Sequence, residues 1–131
     1  MRVHIRTFVA VVLTVLTVGF TVTLAAQAPD QNIKVVAGVL ARLNHFANDA
    51  DKKALQGIVA STTATAHEKV LAQALINVQH TAEAADKAKL DALAKDASAP
   101  ESVRTIAGIL AGLNHTPTEA QKAALAKLSA G

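Results

Sequence analysis

Three histidines recur at a fixed interval and are the residues of this chain best suited to chemistry. His45, His80 and His115 are 35 residues apart. Each follows a residue with an amide side chain: Asn44, Gln79 or Asn114. Neutral imidazole is the commonest protein ligand for metals, and its charged form complements the negative end of a helix. The pattern therefore allows two interpretations, a metal or small-ligand site and caps on three helix ends.

The geometry expected of stacked helices favours the capping interpretation. Neighbouring helices pack about 8–10 Å apart, so equivalent residues of a stack form a row. A zinc ion needs its nitrogens about 2.0–2.1 Å from one centre, which three imidazoles in a row cannot provide. We therefore predict no metal site and no cofactor. The row formed by His45, His80 and His115 stays as the alternative metal or ligand site.

The rest of the sequence offers little that could catalyse a reaction. It contains no cysteine, which excludes disulfides, thiol nucleophiles and cysteine-based zinc or haem sites. The stretch HEKVL at His67 lacks the second histidine of the zinc-protease motif, because Leu71 stands at that position. No serine has a histidine at a spacing that indicates a catalytic pair, and no glycine-rich phosphate loop is present. We expect a protein without enzyme activity.

The histidines belong to a longer internal repeat. Other sets of residues keep the same interval of 35 positions, among them Leu40/Leu75/Leu110, Leu55/Leu90/Leu125, Ala37/Ala72/Ala107 and Lys34/Lys69/Arg104. A period of this length is typical of helical-hairpin repeats. We therefore interpret residues 29–131 as one helical-repeat domain with copies at approximately 30–64, 65–99 and 100–131.

Each copy has the pattern of two amphipathic helices. Val36, Leu40 and Leu43 lie at helical spacing in the first half of a copy, and Leu55 and Ile58 do so in the second half. The pattern predicts six helices, near residues 31–45, 49–60, 66–80, 82–96, 100–114 and 118–129. We expect an all-α fold in which three helical hairpins form a short solenoid or a compact bundle, with the leucine series in its core.

The first 28 residues differ in composition from the rest of the chain. Arg2 and Arg6 precede 18 uncharged residues, Thr7–Leu24, and small residues follow, ending at Ala28. This order of basic, apolar and small residues is typical of an export signal. An N-terminal membrane anchor is the alternative, because about 18 uncharged residues are the lower limit for crossing a bilayer. We predict a signal peptide at residues 1–28 and a periplasmic or secreted protein of the bacterial envelope.

The charge of the remaining domain argues against nucleic acid as a partner. Residues 1–28 hold two of the 13 basic side chains and none of the 10 acidic ones, which leaves 11 against 10. A nearly neutral domain whose only aromatic ring is Phe46 has neither a basic patch nor a stacking platform.

A protein or peptide is the partner that the repeat pattern favours. We predict a binding or structural module whose groove follows Lys34, Lys69 and Arg104 and accepts an acidic or amphipathic helix. Gly38 and Gly108 lie on the same helix faces. They either form the floor of that groove or simply admit a neighbouring helix of the same chain.

Overall fold

The computed structural model describes residues 31–131, so the predicted signal peptide or anchor at 1–28 lies outside the described residues. The described part of the chain is all-helical, as predicted, and contains six helices. They are α1 (Gln31–Ala41), α2 (Asp49–Ala60), α3 (Ala66–Asn77), α4 (Ala84–Lys95), α5 (Glu101–Ala111) and α6 (Glu119–Ala130). None of these six is long and apolar enough to cross a membrane.

Side chains at the helix starts explain where several helices begin. The Asn48 side chain accepts a hydrogen bond from the amide of Asp51 at the start of α2. Thr65 and Glu68 form a reciprocal capping box at the start of α3, as Thr118 and Gln121 do at the start of α6. Such caps satisfy amides that have no partner inside the helix.

The helices pack as a closed bundle. The most extensive contacts join α2 to α3, α4 to α5, and α6 to α1. The odd-numbered helices α1, α3 and α5 also contact one another in pairs. Because the last helix packs against the first, the ends of all three odd helices surround one region instead of following one another along a line.

The leucine series forms the core, as predicted. Leu40, Leu75 and Leu110 on the odd helices have no exposed surface, and neither have Leu55, Leu90 and Leu125 on the even helices. Ala37, Ala72 and Ala107 are equally buried, one on each odd helix. A methyl side chain at a fully buried position lets these helices approach one another closely.

The odd-numbered helices end earlier than the periodicity predicts. They stop at Ala41, Asn77 and Ala111, about one turn before the expected ends at 45, 80 and 114. The histidines that follow have a left-handed backbone conformation, which cannot continue a right-handed α-helix. Each histidine therefore lies in a loop and not on the last turn of a helix.

Candidate metal centre

The backbone at the three histidines has an unusual conformation. His45, His80 and His115 have φ values of 68°, 68° and 66°, and no other non-glycine residue between 31 and 131 has a positive φ. A residue with a Cβ atom adopts this left-handed backbone conformation at a free-energy cost of about 1–2 kcal/mol. Conformations of this kind persist where the surrounding structure enforces them, and they are concentrated at functional sites. The three strained positions of the described chain are thus the same three that the sequence repeats.

Hydrogen bonds hold two of these loops in tight turns. The amide of Phe46 donates to the carbonyl of Asn44 at 2.8 Å, and the amide of Thr116 donates to the carbonyl of Asn114 at 2.8 Å. A bond that spans two residues around a positive φ defines a γ-turn of the rare, strained type. The turn rotates the chain sharply at the histidine and so sets the direction of its side chain.

A cycle of backbone hydrogen bonds joins the three loops. The amide of His45 donates to the carbonyl of His115 at 3.1 Å, and the amide of His115 donates to the carbonyl of His80 at 2.6 Å. The amide of His80 completes the cycle by donating to the carbonyl of His45 at 2.9 Å. Each histidine is a donor and an acceptor in this cycle, so the loops are fixed around a common axis.

The imidazole rings converge beside that axis. The ring centroids of His45 and His80 are 5.0 Å apart, those of His80 and His115 5.1 Å, and those of His45 and His115 5.4 Å. One nitrogen from each ring lies within 4.8 Å of the other two. The expectation of a row is wrong, because α6 packs against α1 and brings the first and third loops together.

This spacing is close to what one metal ion requires. Nitrogens bound at about 2.0–2.1 Å in a tetrahedral site lie about 3.3 Å from one another. The three nitrogens would therefore need to approach by at most about 1.5 Å, which small side-chain rotations within a rotamer well can supply. His45 is half-buried, and His80 and His115 are exposed. An ion held there would keep coordination positions open to solvent.

Asparagine side chains orient two of the imidazoles. Nδ1 of His45 lies 2.6 Å from Oδ1 of Asn44, and Nδ1 of His115 lies 2.6 Å from Oδ1 of Asn114. An amide oxygen only accepts hydrogen bonds, so Nδ1 carries the proton and donates it. This tautomer leaves the lone pair on Nε2, as is usual for a histidine that binds a metal. At His45 and His115 the imidazole is thus bonded to its own neighbour in the loop and not to the end of the helix as a cap.

His80 differs from the other two in its neighbour. It follows Gln79, whose side chain is longer by one methylene group. In the described part of the chain, the Gln79 amide makes no hydrogen bond to the imidazole of His80. The sequence shows this difference between the neighbours but does not show its effect, because the reach of the amide to the imidazole depends on the backbone conformation at the histidine.

The residues predicted to bind a partner lie on separate parts of the surface. Lys34 lines a cleft of about 500 Å³ that also involves Ser129 on α6. Lys69 lines a different cleft, of about 220 Å³, with Val59 on α2 and Lys89 on α4.

The third residue of that set, Arg104, is half-buried on α5. Its Nε is buried and has no hydrogen-bond partner among residues 31–131. Neither of the clefts that Lys34 and Lys69 line includes it. The structure thus does not bring the three basic residues together at one cleft.

The two glycines beside these residues face helices of the same chain. A Cβ atom at Gly38 would lie 3.9 Å from Cβ of Ser129 on α6. A Cβ atom at Gly108 would lie 3.9 Å from Cβ of Ala94 on α4. Gly38 also lines the cleft of Lys34, so its position fits both a helix contact and the floor of a groove. Gly108 is exposed and lies beside α4.

Three carboxylates are buried in the described part of the chain. Asp51, Glu68 and Asp86 are each less than 9% exposed. Asp51 is paired with Arg42, Glu68 accepts from the amide of Thr65, and Asp86 accepts from Asn77. Because each has a local partner, we assign all three to the stability of the fold.

No family model, curated protein or solved structure matches the chain. Its function is therefore inferred from the chemistry of its own side chains.

Proposed function

We propose that this protein binds one divalent transition-metal ion through His45, His80 and His115. The convergence of three imidazole nitrogens within 4.8 Å of one another carries the proposal. Imidazole suits zinc, copper and nickel, and three protein ligands leave room for water or another ligand. The exposed rings favour exchange of the ion with solvent, so we infer a role in binding and delivering metal.

The strained loops support this proposal. Three left-handed residues cost about 1–2 kcal/mol each in the folded protein. Nothing in the packing of the core requires a histidine at these positions, since two of the three side chains are exposed. The strain is explained if the loops are kept in a geometry that directs three ligands at one ion.

The internal repeat and the N-terminal segment are part of the same proposal. We infer that three helical hairpins of 35 residues each supply one ligand, so that internal repetition of a hairpin produced a three-ligand centre. The basic–apolar–small order of residues 1–28 supports export to the bacterial envelope, as a periplasmic or secreted protein. An N-terminal anchor would place the same site at the membrane surface.

Metal titration of the full chain tests the proposal. Calorimetry with zinc or nickel chloride is expected to give one ion per chain. Separate replacement of His45, His80 or His115 by alanine is expected to lower the affinity at least about 10-fold. His67→Ala is the matched control, because His67 lies on α3 outside the cluster. Equal binding by the wild type and the triple alanine variant would exclude this centre.

Protein or peptide binding is a second proposal, supported by the surface clefts at Lys34 and Lys69. The acidic face of an amphipathic helix complements a lysine at the edge of a cleft. Replacing Lys34 and Lys69 by glutamate is expected to abolish binding of an acidic amphipathic peptide at their clefts while the helical content stays unchanged. Undiminished binding would remove these residues from the interface.

A further inference from the structure

A cleft lies directly beside the histidine cluster. It has a volume of about 450 Å³ and is lined by Phe46, Lys52, Glu83 and the segment 76–80. Since this segment ends with His80, one wall of the cleft is also a wall of the proposed metal centre. The volume is in the range of sites that hold a small organic molecule.

Lys52, in this cleft, differs in its contacts from the lysines at the same position of the other two repeats. Lys87 and Lys122 follow it at intervals of 35 residues, and both have oxygen partners. Nζ of Lys87 donates to the Ala111 carbonyl at 2.9 Å, and Nζ of Lys122 donates to Glu119 at 2.9 Å. Nζ of Lys52 instead lies 5.9 Å from the ring centroid of Phe46, and within residues 31–131 it has no oxygen partner. Its ammonium group is thus available to an anion.

Phe46 is the second distinguishing residue. The corresponding positions after the other two histidines hold threonine, at Thr81 and Thr116. Phe46 is 58% exposed and is the large hydrophobic residue that the described surface leaves in solvent. An exposed ring next to a cationic group offers a stacking surface for another aromatic ring.

The charge of the cleft depends on the metal. Lys52 and Glu83 carry opposite charges and cancel, so the metal-free cleft attracts neither sign strongly. A divalent ion on the histidines adds two positive charges and open coordination positions. The loaded centre therefore favours a ligand with one carboxylate group over a neutral or cationic ligand.

We propose that the metal-loaded centre binds an aromatic monocarboxylate in this cleft. The carboxylate takes an open position on the ion and pairs with Lys52, and the ring packs against Phe46. This assignment rests on the metal-binding function proposed above.

Cobalt(II) provides a test, because its visible absorption changes when a ligand enters its coordination shell. The cobalt-loaded full chain is titrated with benzoate and with acetate. Benzoate is expected to bind about 2- to 10-fold more tightly, as ring stacking predicts. Phe46→Thr is expected to remove that preference, and Lys52→Gln to weaken both carboxylates about 3- to 10-fold. Lys122→Gln is the matched control and is expected to leave both affinities unchanged.

The outcomes separate this proposal from the metal site itself. Failure of cobalt to bind would overturn the metal centre and the cleft together. Binding of cobalt with equal affinities for benzoate and acetate would overturn the cleft alone. The same conclusion follows if Lys52→Gln behaves as Lys122→Gln does, or if the metal-free chain binds benzoate as tightly as the loaded chain.

Discussion

The left-handed backbone at the three histidine positions should make glycine more stable than alanine there. A residue with a Cβ atom pays about 1–2 kcal/mol for the left-handed conformation, and glycine does not. Glycine also lowers the free energy of unfolding by about 0.5–1 kcal/mol relative to alanine, because it has greater conformational freedom in the unfolded chain. At φ values of 66–68° the balance favours glycine over alanine. The net difference is about 0.5–1 kcal/mol for each position.

The clearest comparison is between two triple variants. Replacing His45, His80 and His115 by glycine or by alanine removes the same imidazoles, so lost ring contacts cancel between the two. The glycine variant is expected to be more stable by about 2 kcal/mol, the sum over three positions. In a domain of this size that corresponds to a melting temperature higher by about 8–16 °C. Thermal and urea denaturation followed by circular dichroism measure the difference in metal-free buffer.

The sign of the stability difference between the glycine and alanine variants shows whether the backbone at the histidines is strained. At an ordinary helical position such as exposed Lys53 on α2, glycine is expected to be less stable than alanine by about 1 kcal/mol. An alanine triple variant that equals or exceeds the glycine triple variant would show that the loops are not strained in the way described. Neither triple variant should bind metal, because both lack the three imidazoles.

Three further predictions concern the core, the ligand tautomers and the N-terminus. Leu75→Ala is expected to cost about 2–5 kcal/mol in urea denaturation, because Leu75 has no exposed surface; a loss below about 0.5 kcal/mol would contradict its place in the core. Asn44→Leu is expected to weaken metal binding about 10-fold, and Gln79→Asn is expected to strengthen it. The ¹⁵N chemical shifts of the imidazoles report the tautomer and should change in Asn44→Leu. Unchanged shifts would refute the orienting role of Asn44. The exported protein is expected to begin between Ala26 and Pro29, as N-terminal sequencing would determine, and an intact Met1 in the membrane fraction would contradict cleavage.

Helical periodicity was sufficient to predict the helices and their core. Residues such as Leu40 and Leu55 repeat at helical spacing, and burial of an apolar stripe is a local consequence of that spacing. Of the described helices, α2 begins and ends where the pattern predicts. The fold class and the buried leucines therefore required no knowledge of how the helices pack around one another.

The convergence of the histidines could not be predicted in the same way. It depends on the packing of α6 against α1, a contact between helices far apart in the sequence that local spacing does not indicate. The hydrogen bond from His45 to Asn44 depends in turn on a left-handed backbone at a non-glycine residue. No local sequence pattern indicates that conformation, since glycine is the residue usually expected there.

The cycle of backbone hydrogen bonds has a consequence for the timing of metal loading. His45 and His115 are separated by 70 residues, so their loops meet in the folded chain, where α6 packs against α1 and α5 also contacts α1. A partly folded chain in which α6 has not docked lacks the main contact that brings the third imidazole beside the other two. An ion that requires all three can therefore be retained only after folding is complete. Metal retention would therefore distinguish fully folded molecules from partly folded ones.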